Sequence, residues 1–146
     1  MKIELYCADA ALDGNHGCGA TLTADDDGRR KKRTFASWIG KIDSTVAQLQ
    51  AVRIGLSSLT SKKHEIIAHV SDGRTAEALH KTRDGYLTEP VENVELVTEV
   101  RKLASSFMSF CCFVDASGDK FMMEAESAAR SVLGTKGRYD SETQDL

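Results

Sequence analysis

Period-two alternation at the start of the chain constrains its fold more than any other feature. In the opening segment Ile3, Leu5, Cys7 and Asp9 fall on one face of an extended strand, with Lys2, Glu4 and Tyr6 on the other. Such a strand lays one face on a core, and here that face ends in a carboxylate. An acid at the end of a strand is ordinarily solvated. To be buried it must be paired, hydrogen-bonded or metal-bound. The placement recurs at Asp72, after a short buried strand over 65–70, and at Glu126 on the last helix. Glu126 falls inside the stripe of Met122, Ala125, Ala129, Val132 and Leu133 that a helix there must turn to the core.

The remaining periodicities place strands first and interleaved helices later. Strands are expected over 2–8, 18–24 and 32–39, forming an antiparallel meander whose second turn is Asp25-Asp26-Asp27-Gly28. Ser44 or Thr45 can cap a helix over 46–59, with Leu49, Val52, Leu56 and Leu59 as its apolar stripe. A brief helix over 74–81, a loop over 82–90, a helix over 93–105, a strand over 107–114 and a helix over 120–133 complete the pattern. The stretch from Gly134 has almost no apolar residue and is expected to be a disordered polar tail over 134–146, leaving one domain over 1–133.

Composition narrows the class. A chain of 146 residues suits a single core, and no apolar run approaches the ~20 residues of a membrane span. Charged Lys2 and Glu4 interrupt any signal-peptide-like start. The net charge of −3 argues against nucleic-acid binding by bulk charge but leaves room for a local basic surface. The four cysteines form no CxxC pair and no Cys/His ligand set, so they read as free thiols in a reducing cytoplasm.

In order and spacing, these motifs resemble type 1 of the ribonuclease H family over roughly 1–133. Asp9-Ala10-Ala11 followed by Gly14-Asn15-His16-Gly17 is similar to the family's first strand and turn. Asp43-Ser44-Thr45-Val46-Ala47-Gln48-Leu49-Gln50-Ala51 is similar to its Thr-Asn-Asn-x-x-Glu-Leu-x-Ala helix start. Asp72-Gly73, Pro90-Val91-Glu92-Asn93-Val94-Glu95-Leu96 and Glu126-Ser127-Ala128-Ala129 continue the match. The resemblance implies an α/β fold with a five-stranded mixed sheet, three antiparallel strands then two parallel, flanked by helices. It also implies endonucleolytic cleavage of RNA in RNA–DNA hybrids with Mg²⁺ or Mn²⁺.

That chemistry needs converging acids, because two hard cations ~4 Å apart stabilise the attacking and leaving oxygens of an in-line displacement. The resemblance assigns the site to Asp9, Gln48, Asp72 and Glu126, with Asp9, Asp72 and Glu126 as metal ligands. The family's helix glutamate is Gln48 here, which brings no charge and cannot deprotonate a water, so impaired cleavage is expected. The resemblance also places Asn15, Ser44 and Thr45 against the hybrid. Arg29, Arg30, Lys31, Lys32 and Arg33, a dense basic run at the hairpin tip, supply cations for phosphates. The competing readings are a catalytically inactive nucleic-acid-binding domain and a protein-interaction module that reuses the fold. The isolated histidines show no ligand spacing.

Overall fold

The computed structural model describes residues 1–26, 28–86, 89–115 and 119–143. Strands β1 (Lys2–Leu12), β2 (Asn15–Asp26) and β3 (Arg29–Lys41) form the meander. Helix α1 (Ser44–Ser57), strand β4 (Glu65–Val70) and helix α2 (Gly73–Leu79) follow, then a small hairpin of β5 (Lys81–Thr82) and β6 (Gly85–Tyr86). Helix α3 (Val94–Ser105), strand β7 (Ser109–Val114), helix α4 (Lys120–Ser131) and strand β8 (Arg138–Thr143) complete the chain. The main sheet runs in the order β7-β4-β1-β2-β3-β8. β1, β2 and β3 pair antiparallel, whereas β4 lies parallel to β1 and β7 parallel to β4. The expected five-stranded mixed sheet is therefore present, extended by a sixth strand.

Local chemistry explains where these elements begin. β1 and β2 run longer than expected because the turn is Asp13-Gly14, with φ of 52° and 80°. Two positive φ values define the hairpin turn whose twist matches the flanking strands, so pairing begins at once with Leu12 opposite Asn15. Asp9 consequently lies inside β1 rather than at its end. β4 pairs with β1 only as far as Cys7 and Val70, so Asp9 stands just beyond the end of β4. The cap of α1 is Asp43, which accepts from Val46 N at 2.9 Å, and not Ser44 or Thr45. Across the meander's second turn Asp26 pairs with Arg29, while Asp27 lies outside the described residues.

The sheet separates two layers. Leu5 and Cys7 on β1 meet Leu49, Val52 and Leu56 of α1 together with Ile66, Val70 and Val100, all buried in one cluster. Each large aliphatic side chain there contributes about 1.5–3 kcal/mol by leaving water. α4 crosses the opposite face over β1, β2 and β3, with Tyr6 packed on Phe121 and Met122. Its close approach needs Gly17 and Gly19, since a Cβ at either would run into the carbonyl of Ala129 or Ala125.

The tail departs from expectation. Residues 138–143 form β8 along β3, and Arg33 forks onto Asp140 with donor distances of 3.3 and 3.0 Å. A polar sequence suffices because an edge strand needs backbone pairing more than apolar burial. Residues 144–146 lie outside the described set.

Candidate functional site

The parallel ends of β1 and β4, with the start of α1, bring three of the four expected residues together. Gln48 is 1% exposed, and its carboxamide joins two elements. Its Nε2 donates to Asp9 Oδ1 at 2.8 Å and to Ser71 Oγ at 2.6 Å. Its Oε1 accepts from the backbone N–H groups of Ser71 at 3.0 Å and Asp72 at 2.9 Å. These partners fix the amide's orientation. Flipped, it would set oxygen against carboxylate and N–H against N–H.

Asp72 caps α2. Its Oδ2 accepts from Thr75 N at 2.9 Å, Thr75 Oγ1 at 2.8 Å and Thr45 Oγ1 at 2.9 Å. Thr45, expected to face nucleic acid, thus spends its hydroxyl hydrogen inside the site. Asp9 is 12% exposed at its side chain, and its second oxygen, Oδ2, lies 3.1 Å from His16 Nδ1. A carboxylate can only accept, so Nδ1 carries the proton. The spacing of the histidines gave no hint of this contact. The signal lay in the turn, because Leu12 opposite Asn15 puts His16 across from Ala11, on the same face as Asp9. Ser71 and Thr75 were missed because no motif marks them: the end of β4 and the first turn of α2 bring their hydroxyls and backbone N–H groups to the site.

Glu126 does not join this network. It is half exposed and accepts from Arg130 at 2.7 Å, one helical turn on. The core face of α4 is instead Phe121, Met122, Ala125, Ala128 and Ala129, so Glu126 sits at the flank of the apolar stripe and not inside it. The pleat gives the reason. Asp9 pairs with Cys18 and points to the α1 face, whereas α4 lies over Gly17 and Gly19 on the other. Glu124 bridges to Lys32 on β3 at 2.8 Å. Two residues on, at about 100° each, Glu126 turns to the opposite flank of α4.

A metal set therefore does not fit as folded. Among the described residues no three His, Cys, Asp or Glu side chains are grouped to hold an ion. Both oxygens of Asp9 are engaged, and Gln48 turns its amide hydrogens, not its oxygen, towards Asp9. A weakened ligand at Gln48 is thereby replaced by a hydrogen-bond clamp.

The basic run is displaced from this end of the sheet. Arg33 pairs with Leu22 and Arg29 with Asp26, which are four and eight residues along β2 from Cys18, the partner of Asp9. At ~3.3 Å per residue these positions lie roughly 13 and 26 Å away. Alternation sends neighbours to opposite faces, and several are neutralised: Arg30 by Asp25 at 3.3 Å, Lys32 by Glu124 and Arg33 by Asp140. Nearer the site, a cavity of about 370 Å³ is lined by Thr45, Leu49, Pro90 and Asn93, and here Arg74 of α2 stands among the carboxylates of Glu77, Glu89 and Glu92. Asn15 and Ser44 open β2 and α1 at the same end of the sheet.

The strand order, the parallel β1–β4–β7 pairing and the helices on both faces define a ribonuclease H-like fold. Neither a protein-family model nor a curated protein matches the sequence. Among solved structures, LC9-RNase H1, described as a type 1 RNase H with the type 2 active-site motif, is 13% identical with a TM-score of 0.75. The match covers 96% of this chain and 77% of that one. RNase H1 from the archaeon Halobacterium salinarum NRC-1 is 14% identical, with a TM-score of 0.65 over 92% of this chain and 99% of that one. LC11-RNase H1, solved in complex with RNA/DNA hybrid, is 14% identical with a TM-score of 0.58, covering 88% and 99%. No helix of the described residues is long and apolar enough to cross a membrane.

Proposed function

We propose that the protein is a ribonuclease H-like domain that binds RNA–DNA hybrid and cleaves its RNA strand slowly or not at all, with catalysis impaired at Gln48. One observation carries this reading: the Gln48 carboxamide gives its hydrogens to Asp9 and its oxygen to two backbone amides. A side chain so bound neither ligates a cation nor accepts a proton from water. Mg²⁺ or Mn²⁺ would have to be held by Asp9 and Asp72, with Glu126 swung from α4, after the present hydrogen bonds had been given up. What these residues do as they stand is hold the ends of β1 and β4 rigidly against α1, beside the cleft that carries Arg74.

Hybrid as the ligand is supported by the fold's likeness to LC11-RNase H1 in its RNA/DNA complex. The test is a labelled RNA–DNA hybrid, followed for binding and for cleavage with Mg²⁺ or Mn²⁺, beside Gln48→Glu. Wild-type protein should bind at ~50 mM salt and turn over far below the typical ~10 s⁻¹. Turnover near that rate would sink the impaired reading. Absence of binding would favour a protein-interaction module.

A further inference from the structure

We infer that His16 and Gln48 together occupy the place of a cation at Asp9, making this end of the sheet a closed, metal-independent unit that Gln48 alone does not account for. The inference rests on the proposed reading of the site, and it adds His16 as the second lock. A nearly buried carboxylate must be compensated on both oxygens. Gln48 Nε2 serves Oδ1 at 2.8 Å and His16 Nδ1 serves Oδ2 at 3.1 Å. Each oxygen of Asp9 thus keeps one lone pair, and a cation approaching it must crowd in beside both donors.

Neither donor is easily displaced. His16 is 11% exposed at its side chain, so expelling it from Asp9 strands an imidazole N–H away from water. Gln48 cannot turn to offer its oxygen without also breaking its bonds from Ser71 N and Asp72 N. His16 is held in place by the hairpin register, through the Asp13-Gly14 turn, and not by a flexible loop. Putting a carboxylate at position 48 therefore restores charge but leaves Oδ2 locked. The two positions are coupled, and the cation site returns in full only when both locks are removed. His16 is a positioning residue here, acting through Asp9.

The experiment is Mn²⁺ calorimetry, without nucleic acid, on wild type, Asp9→Asn, His16→Ala, Gln48→Glu and the His16→Ala/Gln48→Glu double variant. Wild type should show no saturable binding up to ~1 mM. The double variant should bind at least about tenfold more tightly than Gln48→Glu. Wild-type affinity for hybrid should be the same in EDTA as in Mn²⁺ at equal ionic strength. The inference is overturned if wild type binds Mn²⁺ in a way that Asp9→Asn abolishes, or if the double variant binds no better than Gln48→Glu. It is equally overturned if Mn²⁺ tightens hybrid binding. The comparison of wild type with Asp9→Asn keeps the test open should His16→Ala fail to fold. If wild type binds no hybrid, the proposed function fails while the calorimetry still decides the question of the locks.

Discussion

Asp9 sits in a nearly dry place with a donor of its own at each oxygen. Gln48→Glu sets a carboxylate oxygen where Nε2 now lies, 2.8 Å from Asp9 Oδ1. Two carboxylates in contact cannot both ionise cheaply, so the variant should lose about 1–3 kcal/mol near neutral pH in urea unfolding. An unchanged midpoint would mean that Gln48 is not clamped. Asp72→Ala removes a helix cap, takes the acceptor from Thr45 Oγ1 and leaves Thr75 Oγ1 only the Thr45 carbonyl at 3.4 Å, and should cost at least about 1 kcal/mol in the same assay. The thiols supply a third expectation. Burial pushes Cys18 and Cys112 up to about 12 and holds Cys7 well above its ordinary range. The folded protein keeps these protons to higher pH than the unfolded chain does. Their contribution is therefore complete below about pH 8.5 and is lost as pH rises from there towards 12. Urea midpoints that stay level from pH 8 to 10.5 would contradict this.

At the scale of elements, much was legible because the code there is local. The strict alternation around Leu5 and the Leu49, Val52, Leu56 stripe gave the strand and helix on whose packing the fold is built. Asp9, Gln48 and Asp72 were readable because each sits at a fixed offset from an element end. Glu126 was placed inside its stripe because periodicity gives an angle but not which small residues take the contact. Gly17 and Gly19 on β2, far earlier in the chain, decide that. A methyl group at Gly19 would meet the Ala125 carbonyl and force α4 off the sheet. Gly19→Ala should thus cost about 3 kcal/mol, read as a fall in melting temperature. β8 was invisible to composition for a further reason: its stability comes from backbone pairing to β3 and from Asp140 meeting Arg33, neither of which hydrophobicity measures.

For the whole molecule, the proposed function raises the question of how a chain of net charge −3 would hold a polyanion. The basic run is distant from the site, and Lys32 and Arg33 are tied to Glu124 and Asp140. Alanine at Lys32 and Arg33 should lower stability slightly while leaving the salt dependence of hybrid binding nearly intact. Arg74→Ala, by contrast, should flatten the plot of log affinity against log salt by roughly 0.7–0.9, one phosphate contact. If the effects are reversed, the hybrid lies along the hairpin and not over α2.

The Gln48 clamp also bears on descent. Glutamine and glutamate codons differ by one base, so a change to the acid is always a single mutation away. Yet a chain with glutamate at that position and His16 still seated sets two carboxylates face to face with no ion between them. A chain that loses His16 first leaves Asp9 half satisfied. Each route to the acid crosses a less stable protein, and where stability is marginal such crossings are purged. The clamp works as a ratchet. Lineages carrying it should vary freely at the basic tip between β2 and β3 and on the exposed face of α4, while positions 9, 16, 48 and 72 change together or not at all.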